Sequence, residues 1–152
     1  MQITLDARPF AKLDSQALVT YAFEQDNPIQ GVLSELDAAV GGAVGKLARS
    51  GELSGKSLEM ALLHFPAGIA AERVLVVGAG KRDKFTTVEL RRLAGAALRY
   101  LKSRSVKRLA FLVREDDRNA AAAQSVTEGL LIADFESDKY KTEKKNDKEI
   151  ES

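Results

Sequence analysis

Between residues 73 and 114 the chain alternates between two hydrophobic periods, and that alternation restricts it to folds combining a sheet with helices. Residues 73–78 contain the run Val74, Leu75, Val76, Val77, which suits a short central strand buried on both faces. Thr86 followed by Glu89 has the spacing of a capping box, in which hydroxyl and carboxylate satisfy free amides at a helix start. Leu90, Leu93, Ala94, Ala97, Leu98 and Leu101 then form one face of a helix reaching about Lys102. Residues 107–114 read as the next strand. Strand, helix and strand in this order predict a βαβ unit with parallel strands and a right-handed crossover.

The flanking segments extend the same pattern. Residues 2–7 read as a strand stopped by Pro9, and residues 17–23 as another with Val19, Tyr21 and Phe23 on one face. From Val32 to Leu47 the apolar residues project as a single helical face, with Arg49 and Gly51 as stop signals. Residues 58–65 are a strand whose link to residue 73 is too short for a crossover helix, so these neighbours should be antiparallel. Residues 119–135 read as the last helix. The predicted fold class is α/β, a three-layer α/β/α arrangement with a mixed sheet. Residues 1–136 form one domain on this reading, and the charged residues 137–152 a linker or truncated tail without apolar periodicity.

Composition narrows the chemistry. Without cysteine, and with His64 as the sole histidine, thiolate sites and multi-imidazole metal sites are excluded. His64 ends an apolar strand with no acid or serine nearby, which suits a packed or rim histidine. No signal peptide or membrane span is legible, which predicts a cytoplasmic chain with no membrane partner. Gly78 and Gly80 follow a buried strand, where phosphate loops begin in α/β folds, but Asp83 stands where a third glycine would be. They are a ligand-loop candidate whose simpler reading is a strand-end turn. Glu115, Asp116 and Asp117 suit the N-terminus of the last helix better than a cation site. Gly41, Gly42 and Gly45 inside one helix suggest close approach of another backbone, as do Ala120 to Ala123 in the last helix.

The formal net charge of +1 conceals an uneven distribution: residues 73–114 hold twelve basic residues against two acids, between acidic flanks. Arg91, Arg92, Arg99 and Lys102 are expected opposite the apolar face of their helix. With Lys107 and Arg108 they form a candidate contact surface for nucleic-acid phosphates such as DNA. A solvated or ion-paired face is the plainer alternative.

Four segments, GELSGKSLEMALLHFP, RVLVVGAGKRDKFT, LRRLAGAALRYLKSRSVKRLAF and EGLLIADFESDKYKT, resemble in order and spacing the N-terminal domain of the leucyl aminopeptidases of peptidase family M17. The resemblance runs from about Leu33 to Thr142. It implies a macro-domain-like fold and a non-catalytic role here, in oligomer assembly and access to the active site. It also implies that the parent is a metal-dependent aminopeptidase, with two zinc or manganese ions held in a following C-terminal domain. The family's metal-binding and catalytic residues have no counterpart in this sequence, so no catalytic residue, metal ligand or cofactor is assigned to it. The implied partners are the catalytic domain and the sister subunits of a homohexamer, and in some bacterial members DNA. Fold analogy alone adds an ADP-ribose-type ligand as a further alternative.

Overall fold

The computed structural model describes residues 2–4, 8–26 and 29–144, the last nine of these by their backbone. The elements are β1 (Ala17–Ala22), α1 (Gly31–Ala39), α2 (Ala43–Ser50), β2 (Met60–His64), β3 (Arg73–Gly78), α3 (Thr87–Lys102), β4 (Leu109–Phe111) and α4 (Ala120–Lys144), with short 3-10 turns at Phe10–Lys12, Arg82–Lys84 and Glu115–Asp117. The sheet order is β2-β3-β1-β4. Strand β1 lies parallel to both β3 and β4, while β2 is antiparallel to β3, as the short connection between them requires. The βαβ expectation holds in that β3 and β4 run the same way, with β1 inserted between them.

Alternation along β1 divides the interior into two cores. Ala17, Val19, Tyr21 and the following Phe23 face α3 and α4, together with Leu75 and Val77. Leu18 and Ala22 face α1 and α2 with Val74 and Val76. The predicted face of α3 is buried in full from Leu90 to Leu101. Each such leucine contributes roughly 1.5–3 kcal/mol by leaving water. The Thr86–Glu89 capping box is formed: Thr86 Oγ1 accepts from Val88 N at 3.2 Å, and Glu89 Oε2 accepts from Thr86 N at 3.2 Å. The Thr86 hydroxyl holds the Glu89 carboxyl below its ordinary range.

Several expectations are corrected. The single helix over 32–47 is two helices, because Gly41 and Gly42 take φ of +70° and +82°, a region that only glycine enters freely. No atom lies within 4 Å of a Cβ built on either, so they break the helix and admit no neighbouring backbone. Asp37 Oδ1 then accepts from Gly45 N at 2.7 Å, serving the start of α2. Close backbone approach occurs elsewhere, between α3 and α4, where a Cβ on Gly129 would stand 2.2 Å from the carbonyl oxygen of Arg91.

Strand β4 is shorter than residues 107–114 because side chains replace backbone partners at both ends. Gln16 Oε1 accepts from the amides of Lys107 and Arg108 at 2.6 and 3.0 Å, and the Tyr21 hydroxyl accepts from Arg114 N at 3.1 Å. Of the strand expected at 2–7, residues 2–4 are not in a strand and residues 5–7 lie outside the described residues. Finally, α4 continues past 135 to Lys144, since extending a helix through Glu and Lys costs little once it has formed. Residues 145–152 lie outside the described residues. No helix among those described is long and apolar enough to cross a membrane.

Candidate functional site

Strands β3, β1 and β4 are parallel and end at the same edge of the sheet; the chain leaves β1 toward the face covered by α1 and α2, and leaves β3 and β4 toward the face covered by α3 and α4. The crest above such carboxyl ends is where open α/β sheets receive ligands. Four segments meet there: residues 23–26 and 29–30 after β1, 53–59 before β2, 79–86 after β3 and 112–119 after β4.

The amides of the Gly78 and Gly80 turn are already engaged. Gly78 N donates to Glu59 O at 2.7 Å, Ala79 N to Ala22 O at 2.8 Å and Gly80 N to Gly55 O at 2.8 Å. A Cβ on Gly78 would stand 1.8 Å from Lys56 O, so this glycine makes room for the 53–59 loop. The loop is pinned by Glu59, whose Oε1 accepts from the amides of Ser54 and Gly55 at 2.6 and 3.1 Å. Gly78 and Gly80 therefore form a strand-end turn closed by a neighbouring loop. The adjoining cleft, lined by Phe23, Asp26, Ile29, Leu53 and Ser54 among others, encloses about 120 Å³. Small-molecule sites usually take 300–1,000 Å³.

Several charged groups on the crest pair with one another. Arg114, only 7% exposed, binds Asp26 through both terminal guanidinium nitrogens and donates from Nη2 to Gln30 O at 3.3 Å. Asp26 Oδ2 also accepts from Phe23 N at 2.7 Å. The Tyr21 hydroxyl donates to Asp117 Oδ2 at 2.6 Å, and the same oxygen accepts from Arg82 Nη1 at 3.0 Å. The guanidinium carbons of Arg82 and Arg114 lie 4.5 and 5.5 Å from the centre of the Phe23 ring. Tyr21 also stacks on Phe85 with centroids 5.4 Å apart. One polar network thus ties the loops after β1, β3 and β4 together.

The acidic trio has a role unlike the expected one. Glu115 Oε2 accepts from Val32 N at 3.0 Å, so it serves the N-terminus of α1, across the crest. The start of α4 is served by Asn119, whose Oδ1 accepts from Ala122 N at 2.8 Å. Among the described residues no group of three or more His, Cys, Asp or Glu is placed to hold a metal ion. His64 is exposed at the end of β2, a rim position.

Burial pushes the Tyr21 phenol well above its ordinary range, and the bond to Asp117 adds to this. The neutral phenol is the form that the fold stabilises. That contribution is complete below the unfolded value of about 10 and is lost as pH rises beyond it. Chemical denaturation should therefore show stability falling above about pH 10, more steeply in the wild type than in Tyr21→Phe. Parallel pH curves for the two would refute this origin.

The basic candidates do not form one face. Arg91 pairs with Glu128 at 3.3 Å, and Arg92 is exposed beside it. Lys102, expected in solvent, is 4% exposed and its Nζ lies 2.8 Å from Asp134 Oδ1 between α3 and α4. It sits there because α4 covers the flank of α3 that carries Gly95, a coverage invisible from α3 alone. Arg99 is exposed on α3, while Lys107 and Arg108 precede β4 at the sheet edge remote from the crest. As members of this network Tyr21, Asp26, Arg82 and Arg114 escaped the sequence reading, and Asp117 entered it only as a helix-start charge. The one available signal was Tyr21, since an inward-facing strand tyrosine needs a partner for its hydroxyl.

Residues 19–144 match the family model of the cytosol aminopeptidase family, N-terminal domain. A probable cytosol aminopeptidase of Solibacter usitatus is 41% identical over 142 residues, covering 93% of this chain and 27% of that protein. One from Acidobacterium capsulatum is 32% identical over 165 residues, covering 100% of this chain and 32% of the relative. The chain thus spans about a third or less of these relatives' length. Among solved structures, a mutant tomato leucine aminopeptidase superposes with a TM-score of 0.65 at 22% identity, over 80% of this chain and 25% of that one. The macrodomain of Mycobacterium tuberculosis DarG superposes with a TM-score of 0.65 at 14% identity, over 90% and 91% of the two chains. These likenesses establish a macro-domain-like α/β fold, and the ordered match over nearly the whole chain establishes that it belongs to the cytosol aminopeptidase family, whose N-terminal domain it carries.

Proposed function

We propose that this domain is the non-catalytic N-terminal part of a cytoplasmic, metal-dependent leucyl aminopeptidase, contributing to subunit assembly and to access around a separate catalytic domain. The observation that carries the reading is the sealed crest. Where this fold would offer a ligand its free amides and charges, the amides of the Gly78 turn are bonded to neighbouring loops. Asp26, Asp117 and Glu115 are each bound to groups of this chain. The two divalent ions that the family implies do not fit here, because these carboxylates are spread over separate partners instead of converging on one point. Peptide hydrolysis, and the zinc or manganese it needs, therefore belong to the C-terminal domain. The partners on this reading are that domain and sister subunits, as in a hexamer.

Two preparations test the proposal. The isolated chain, supplied with zinc or manganese, should release no product from a leucyl chromogenic substrate. A chimera in which this chain replaces the matching stretch of the Solibacter usitatus relative should hydrolyse it. Chelator-sensitive turnover that co-elutes with the isolated chain would overturn the non-catalytic assignment.

A further inference from the structure

We propose that the outer face of α4, formed by Leu131, Ile132 and Phe135, is the surface on which the catalytic C-terminal domain docks; this rests on the domain reading above. These side chains are 45, 51 and 72% exposed. They fall within little more than one helical turn, on the side opposite the buried stripe of Ala122, Val126, Leu130 and Ala133. Clustered exposure of large apolar side chains marks interaction surfaces, and an exposed phenylalanine is a common anchor of them.

Position along the helix argues for the occupant. The outer face is polar in its first half, where Gln124 and Glu128 bond to each other, and becomes apolar only from Leu131 onward. The apolar part is thus nearest to where the remainder of a relative would follow. The helix reaches Lys144, nine residues beyond Phe135, or about 14 Å along its axis. A catalytic body of several hundred residues has a radius of gyration of about 20 Å. A body of that size joined to the chain beyond Lys144 is large enough to reach back over the last turns of α4. The match to the Solibacter usitatus relative leaves most of that protein to supply it.

The absence of cysteine makes the test direct, because Phe135→Cys places a unique thiol in the isolated chain. Ile132→Cys is the second probe. Lys46→Cys, on exposed α2 across the sheet, is the reference. Alkylation is followed peptide by peptide by mass spectrometry, in the isolated chain and in the chimera. Labelling at 135 and 132 should be at least tenfold slower in the chimera, with position 46 unchanged. An active chimera that labels at 135 as fast as the isolated chain overturns the docking surface and leaves the domain reading intact. A chimera without aminopeptidase activity overturns the domain reading, and the docking with it. Protection already present in the isolated chain, together with a dimeric mass, would make a second copy the occupant and overturn the proposal. Unchanged melting of the isolated variants checks that the fold is intact.

Discussion

Arg114→Met is expected to destabilise the domain by about 3–5 kcal/mol, the range for removing one partner of a buried ion pair. For a chain of this size that lowers the melting temperature by on the order of 10 °C. The effect is large because the guanidinium does several things at once. It neutralises Asp26, holds the Gln30 carbonyl at 3.3 Å and covers the Phe23 ring, with a side chain only 8% accessible. Without it, Asp26 keeps the Phe23 amide at 2.7 Å but is left as a largely buried, unpaired charge. Adding Asp26→Asn should recover part of the loss, since the amide still accepts from Phe23 N and carries no charge. Denaturant titration of the two single variants and the double variant isolates the coupling. A loss below 1 kcal/mol for Arg114→Met would show that water reaches Asp26 freely and that the crest is not sealed.

Gly129→Val should cost about 3 kcal/mol, and Gly129→Ala somewhat less, although alanine is the better helix former by about 1 kcal/mol. A Cβ at 129 meets the Arg91 carbonyl oxygen at 2.2 Å and its carbon at 3.0 Å. Both atoms are helix backbone and cannot rotate aside. The only relief is to separate α3 from α4, which loosens the packing of Ala94, Ala97 and Leu130 between them. Gly45→Ala is the contrasting case. There the nearest atoms are side-chain ends, Arg49 Nη1 and Asp37 Oδ2, both at 3.1 Å, and they can shift. Thermal melts should rank Gly45→Ala near the wild type and Gly129→Val far below it. Equal melting of the two would mean that the helices part without cost.

What could be read from the residues was whatever depends on neighbours in sequence. The run from Val74 to Val77, the capping pair Thr86 and Glu89, and the apolar stripe of α3 are local signals, and each forms as the pattern requires. The antiparallel pairing of β2 with β3 follows from the length of their link. The helix break at Gly41 escaped because the apolar spacing continues across it, while backbone dihedrals leave no trace in periodicity. The burial of Lys102 escaped because its partner, Asp134, is thirty-two residues away on another helix. The crest was illegible for the same reason. Tyr21, Asp26, Arg82, Arg114 and Asp117 belong to three separate loops and strand ends, and nothing in their spacing announces that they meet. Family resemblance supplied what spacing could not, since four ordered segments identify a fold even where each is unspecific alone.

The contact between Gly129 and the Arg91 carbonyl has a mechanical consequence. Two glycines face each other across α3 and α4, with a Cβ at Gly95 standing 3.2 Å from Gly129 O, and a buried lysine–aspartate pair lies further along the same seam. A slip of one residue would turn α4 by about 100° about its axis and bring larger side chains into a gap that only glycine fits. The azimuth of α4 is therefore locked to the sheet, much as a key fixes a shaft.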